Sequence, residues 1–236
     1  MKKDAIAIIP ARGGSKRIPK KNIKDFFGKP LIAYSIQTAL ESKLFDKIIV
    51  STDDEEIAKV AKRYGVEIIN RPKELADDFT GTDAVMEHSV QHLKDHGEIF
   101  EYVCTIYATA PLLQKEYLVE GFERLKDSDA INAFSATSMP FPIQRTFKLT
   151  EDGRCKMFYP EYYMIRSQDL EEAYQDAGQF YWKKLGEKSD EVMFGKDSIP
   201  ILLPRYLVQD IDTLEDWKRA ELMYKVIQQD FNEGKR

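Results

Sequence analysis

The chain has 236 residues, 43% hydrophobic and 32% charged, with a formal net charge of −5. That length suits one large α/β domain with a small appendage, and the acidic balance argues against general nucleic-acid binding. No apolar run approaches the roughly 20 residues that span a bilayer. The apolar start before Pro10 is too short for a signal-peptide core. Cys104 and Cys155 have no metal-ligand spacing, so a cytoplasmic chain with reduced thiols is expected.

Ala5 to Ile9 is a continuous apolar run, the pattern of a strand buried on both faces. Gly13, Gly14 and Pro19 keep the next stretch irregular, and Pro30 opens a helix with its apolar stripe on Leu31, Ile32, Tyr34, Ala39 and Leu40. Lys47 to Val50 is a second strand, Ile57 to Tyr64 a helix closed by Gly65, and Val66 to Ile69 a third strand. A loop from Asn70 to Thr80 leads to a helix over Asp83 to His96. A strand at Tyr102 to Tyr107 and a helix at Lys115 to Leu125 follow. This alternation predicts a mostly parallel, Rossmann-like sheet with helices on both faces.

The rhythm changes after Ala130. Ala133 to Thr137 reads as a strand, but residues from about 139 to 178 are rich in proline and aromatic side chains, with a turn at Glu151-Asp152-Gly153. This predicts a β-hairpin arm inserted in one domain spanning 1–236, and its aromatic surface calls for a partner such as a second subunit. Sheet pattern returns at Gln179 to Trp182 and Ile199 to Val208, before a C-terminal helix from Leu214.

Four constellations carry chemistry. The first is IIPARGGSKRIPKKN, Ile8 to Asn22: a buried strand feeding a glycine-bearing loop with Arg12, Lys16, Arg17, Lys20, Lys21 and Lys24 and no acid among them. Backbone N–H groups freed by glycine, with Arg and Lys, suit phosphate oxygens at the carboxyl end of a strand. A solvated basic loop is the plain alternative, and neither GxGxxG nor GxxxxGK[ST] is present. The second is Gln209-Asp210-Ile211-Asp212-Thr213, at the predicted end of the last strand. Carboxylates two apart on an extended chain share a face and, next to phosphate, suit a hard cation such as Mg²⁺. Alternatively they serve the N-terminus of the next helix, where Thr213 and Asp216 have capping-box spacing.

The third is His88, His92 and His96, which share one helical face; with HExxH missing, a solvated face is preferred to a zinc site. The fourth is Arg166-Ser167-Gln168-Asp169-Leu170 with Tyr174 and Asp176, polar groups beside aromatics that suit a sugar carboxylate or a plain interface turn.

Taken in order, these segments resemble the CMP-sugar synthetases. The ARxxSKxxxxKN loop (Arg12, Ser15, Lys16, Lys21, Asn22) is joined by Ile49 to Asp53, by RPxELAxD (Arg71, Pro72, Glu74, Leu75, Ala76, Asp78) and by DIDTxxD. The resemblance implies a cytidylyltransferase acting on CTP and an acidic nonulosonic sugar, working as a homodimer with Mg²⁺. It implies CTP contacts from Ala11, Arg12, Gly13, Ser15, Lys16, Lys21, Asn22, Arg71 and Asp78. It also implies metal ligation by Asp210 and Asp212, and sugar contacts from Tyr107, Arg166, Gln168, Asp169 and Tyr174. Arg12, Lys21, Asp210 and Asp212 are the expected catalytic set.

Two departures from the sialic acid enzymes bear on the sugar. Tyr107-Ala108-Thr109-Ala110-Pro111-Leu112-Leu113 stands where Gln-Pro-Thr-Ser-Pro-Leu-Arg is usual. Asp176-Ala177-Gly178-Gln179-Phe180-Tyr181-Trp182 replaces the usual Asn-Gly. Both are similar to the branch that serves pseudaminic acid. N-acetylneuraminic acid, legionaminic acid and KDO are the alternative substrates, and a non-catalytic nucleotide-binding homologue is a remote one.

Overall fold

The computed structural model describes residues 3–77, 80–187 and 193–232, with side chains to residue 229. Its centre is strand β1 (Lys3–Pro10), whose Ala5 to Ile9 run is wholly buried. β4 (Lys47–Thr52) and β6 (Phe100–Ile106) flank it in parallel, and β5 (Glu67–Asn70) continues the sheet outside β4. The other half holds β7 (Asn132–Ser138), β10 (Tyr174–Lys184) and β11 (Ser198–Leu202), giving the order β11-β7-β10-β6-β1-β4-β5. β10 runs antiparallel to both neighbours, and the other pairings are parallel. The reason lies in the connection: after β7 the chain goes out into the arm and returns directly, without the helical crossover a parallel partner needs.

Alternation along β1 sends its side chains to two different layers. Ala5, Ala7 and Ile9 meet α1 (Leu31–Ser42), α2 (Glu55–Arg63) and α4 (Lys115–Lys126). Ile6 and Ile8 meet α3 (Thr82–Asp95) through Met86 and Leu93. Helices therefore cover both faces, as predicted.

α5 (Leu214–Asn232) does a further job. Its Trp217 and Ala220 close a small core with Ile18, Phe26, Leu31, Tyr34 and Ile211. Phe26 belongs to a short hairpin of β2 (Asp25–Phe26) and β3 (Lys29–Pro30). Ile18 is in the basic loop and Ile211 lies between Asp210 and Asp212, so burying these two apolar side chains together brings the two charged segments face to face.

Two expectations need correction. The last strand ends at Leu202, not Val208. Leu203 N still donates to Ala136 O at 2.7 Å, but Pro204 has no N–H to continue the ladder and a 3₁₀ turn over Arg205–Leu207 follows. Asp210 and Asp212 therefore sit on an irregular segment, not at a strand end. β10, in turn, starts at Tyr174, so the last part of the expected arm belongs to the sheet.

The rest of the arm holds a hairpin of β8 (Phe147–Leu149) and β9 (Cys155–Met157) and 3₁₀ turns at Ile143–Arg145, Pro160–Tyr162 and Ser167–Asp169, and is tied at its base by Met139 N donating to Ala173 O. Phe141, Phe147, Leu149, Phe158, Tyr163 and Met164 stand exposed on it.

Candidate active site

The basic loop leaves β1 at the carboxyl end of the sheet and is pinned from three sides. Asn22, 5% exposed, donates from Nδ2 to Arg12 O at 2.9 Å and closes the loop on itself. Gly13 N donates to Asp53 Oδ1 at 3.0 Å, beyond β4. A Cβ at Gly13 would lie 2.7 Å from Asp54 Oδ2, and Asp54 cannot yield because it caps α2 through Glu56 N and Ile57 N. Arg12 NH1 donates to Asp77 O at 2.7 Å. Ala11 is buried beneath the loop, its N–H on Ser51 O.

A cleft of 320 Å³ opens above this loop. Arg12, Ser15, Lys16, Arg17, Lys21 and Asn22 line one side, and Arg71, Thr80, Thr82, Tyr107 and Asp212 face them. Arg71 is buried and donates from NH2 to Ser51 O at 2.8 Å. Burial lowers its pKa; the nearby Asp53 carboxylate opposes that shift and Arg12 adds to it. Its Nε and the Ser51 hydroxyl are buried without a hydrogen-bond partner among the described residues, which leaves polar capacity for a ligand or a water.

Asp212 meets the loop directly. Arg17 NH2 lies 2.8 Å from its Oδ2, and Lys21 Nζ lies 3.4 Å from its Oδ1 while also donating to Ile211 O. Asp210 is solvent-exposed in outline, yet its carboxyl pKa is raised by desolvation from the surrounding protein and then by Asp212, with Lys21 pulling the other way. The helix-capping alternative also holds. Asp216 accepts from Thr213 N at 2.8 Å while Thr213 Oγ1 accepts from Asp216 N at 3.2 Å, a capping box that fixes the backbone carrying both aspartates.

A carboxylate whose ionisation is made costlier by burial and by a second carboxylate, next to a cleft lined with cations, has the chemistry that would suit a divalent ion. Among the described residues there is no group of three or more His, Cys, Asp or Glu that could complete such a site alone.

Of the predicted contacts, Arg12, Ser15, Lys16, Lys21, Asn22, Arg71, Tyr107 and Asp212 come together around one cleft. Asp78 lies outside the described residues. Arg166, Gln168, Asp169 and Tyr174 do not line it: they are exposed on the arm side, with Arg166 paired to Asp169 at 2.7 Å and Tyr174 bonded to Glu172 at 2.9 Å. His88 and His92 line a separate, larger groove of 1170 Å³ beside α3, which has no basic loop. Sequence reasoning missed Arg17 as the partner of Asp212, although it stands inside the basic run. It also missed Tyr181, whose aromatic ring packs 5.2 Å from that of Tyr107.

A mostly parallel α/β sheet with a basic, glycine-bearing loop after its first strand, facing Asp212 across a cleft, is an arrangement that suits a nucleotidyltransferase. The chain belongs to the cytidylyltransferase family, whose pattern matches residues 6–180. It is 46% identical over 223 residues to a pseudaminic acid cytidylyltransferase of Campylobacter jejuni, covering 94% of this chain and 96% of that one. It is 30% identical over 227 residues to the post-translational flagellin modification protein B of Campylobacter coli, covering 94% and 95%. Among solved structures, a CMP:2-keto-3-deoxy-manno-octonic acid synthetase complexed with CTP matches with a TM-score of 0.64 at 16% identity, covering 94% of this chain and 98% of that one. At that identity the likeness establishes the fold.

Proposed function

We propose that this protein transfers CMP from CTP to pseudaminic acid, an acidic nonulosonic sugar, releasing pyrophosphate. The observation that carries this reading is the 46% identity, end to end, with a pseudaminic acid cytidylyltransferase, joined to a cleft where the basic loop and Asp212 face each other. The anomeric hydroxyl attacks the α-phosphorus, a new P–O bond forms, the bond to the β-phosphate bridging oxygen breaks, and the hydroxyl proton passes to solvent. Such chemistry depends chiefly on alignment and on stabilising charge.

In this reading Arg12, Ser15, Lys16 and Lys21 receive the triphosphate, and Gly13, its N–H held by Asp53, shapes the loop that presents them. Lys21 and Arg12 are positioned to offset the charge that grows on the leaving pyrophosphate. Ala11, Asn22, Arg71 and Asp78 complete the CTP side. Asp210 and Asp212 would hold Mg²⁺, which would supply positive charge to the phosphoryl transfer. Arg17, paired with Asp212 and lining the same cleft, would add its charge to this side. The sugar lies at the Tyr107 end. Arg166, Gln168, Asp169 and Tyr174 reach a sugar only across a dimer contact made by the arm, which the exposed arm aromatics support. No helix among the described residues is long and apolar enough to cross a membrane, in keeping with a cytoplasmic site of synthesis.

The test is pyrophosphate release from CTP and Mg²⁺ with pseudaminic acid in one reaction and N-acetylneuraminic acid in another. Release with pseudaminic acid alone is expected. Release with N-acetylneuraminic acid alone overturns the choice of sugar, and release with neither overturns the reaction for both.

A further inference from the structure

A second cavity, of 210 Å³, opens beside the first and shares Thr82 and Tyr107 with it as a common wall. Its far side is formed by Asp176 and Tyr181 of β10, with Met193 and Phe194. These two β10 residues are adjacent only because the strand is irregular. Asp176 pairs with Ala136 of β7 and Tyr181 with Phe134, so five steps along β10 span two along β7. Gly178, at φ 62°, takes the left-handed conformation such a bulge requires. Ser135 Oγ accepts from both Gln179 N and Phe180 N at 3.1 Å, replacing lost ladder bonds.

Asp176 holds the two ends of this bulge. One carboxylate oxygen accepts from Gly178 N at 2.9 Å, and the other from the Tyr181 hydroxyl at 2.6 Å. The Tyr181 ring stands against Tyr107, and the Tyr107 hydroxyl lies 3.3 Å from Thr82 Oγ1. A polar chain thus runs from Asp176 through the two tyrosines to the wall of the nucleotide cleft. Burial, then Tyr107 and Asp176, push the Tyr181 phenol far above its ordinary pKa, so it stays a proton donor and its direction is set by the carboxylate.

We infer that Asp176 is a positioning residue for sugar specificity: by clamping the Tyr181 hydroxyl across the β10 bulge, it fixes the Tyr181–Tyr107 wall against which the acidic sugar is aligned. The inference rests on the proposed function, since it assumes that the sugar occupies the Tyr107 end of the cleft.

Four variants test it: Asp176→Ala, Asp176→Asn, Tyr181→Phe and Asp176→Ala/Tyr181→Phe. The measurements are KM for pseudaminic acid, KM for CTP, kcat, and the ratio of kcat/KM between pseudaminic and N-acetylneuraminic acids. Asp176→Ala is expected to raise the sugar KM about tenfold, the scale of one lost hydrogen bond to a charged group, and to narrow the selectivity ratio, with KM for CTP unchanged. Asp176→Asn, whose single amide oxygen can accept from the phenol while its NH2 cannot accept from Gly178 N, should restore part of the loss. Tyr181→Phe, which leaves the bulge contact to Gly178 intact, should match Asp176→Ala, and the double variant should be no worse than either. Additive losses in the double variant, or an unmoved sugar KM beside an active wild type, overturn the positioning role alone. A wild type inactive with pseudaminic acid overturns the substrate reading, and the inference falls with it.

Discussion

Lys21 is the more enclosed of the two lysines that line the cleft. Its side chain is 18% exposed and contacts both Ile211 O and Asp212, so it cannot drift as a surface lysine does. A charge fixed before the reaction stabilises a transition state without reorganisation. Its loss is expected to cost about 2.7–4 kcal/mol of barrier, or roughly 10²–10³-fold in turnover. Lys21→Ala assayed for kcat with saturating CTP checks this, and near-normal turnover would remove Lys21 from the catalytic set. Asp210 leads to an opposite pairing of stability and activity. Desolvation and Asp212 raise its carboxyl pKa above the ordinary value. A carboxyl raised on folding costs stability once pH exceeds its unfolded value, and the full cost is present above its folded one. Asp210→Asn is therefore expected to melt higher than wild type at neutral pH without metal, while losing turnover. The melting difference should vanish on acidification below about 3.9, the ordinary aspartate value. A variant that melts lower at neutral pH would show that Asp210 is supported, not strained, by its neighbours.

Between elements, Glu98 ties together the amino-terminal ends of the central strands. Its carboxylate accepts from Lys3 of β1 at 2.6 Å and Lys47 of β4 at 2.5 Å, and Lys47 also reaches Glu67 of β5. The hydrogen bonds from Lys3 and Lys47 depress the Glu98 pKa. A depressed carboxyl contributes stability that is whole above its unfolded value of about 4.3 and is lost as pH falls through the folded value. Glu98→Gln is expected to cost about 1 kcal/mol at neutral pH and little in acid, seen as a melting gap that closes on acidification. A gap constant with pH would assign the effect to packing. The strands themselves were readable from local pattern: AIAII predicts β1 because a strand covered on both faces needs no polar alternation. The last strand was overextended because Ile199 to Val208 stays apolar while Pro204 ends the pairing. The β10 bulge was hidden, since it depends on which β7 residue faces Asp176 and no local pattern encodes that register. Arg17 was hidden for a related reason. Six cations share one loop, and only the joint burial of Ile18 and Ile211 decides which of them meets Asp212.

At the scale of the whole molecule, the arm separates two groups of predicted contacts. The cleft has its nucleotide-side residues from one chain, while Arg166, Gln168 and Asp169 sit outside it on a segment flanked by exposed Tyr163 and Met164. The hairpin exposes Phe147 at 57% and Leu149 at 73%, an apolar surface of the kind that suits a protein contact. A two-fold dimer would cover it and supply each cleft with the partner's arm. Leu149→Glu combined with Phe147→Lys places charge on that surface without touching the seven-stranded sheet, so the fold should persist. The expected result by light scattering is a dimeric wild type and a monomeric variant. If the arm completes the sugar side, the monomer should keep its CTP-dependent thermal shift and lose turnover, because the proposed nucleotide contacts all come from one chain. Loss of both would mean that the arm supports the cleft itself, and a monomeric wild type with full activity would make the arm's aromatics irrelevant to catalysis. A monomeric variant that keeps full turnover would confine the arm to assembly and return Arg166, Gln168 and Asp169 to the status of an ordinary surface turn.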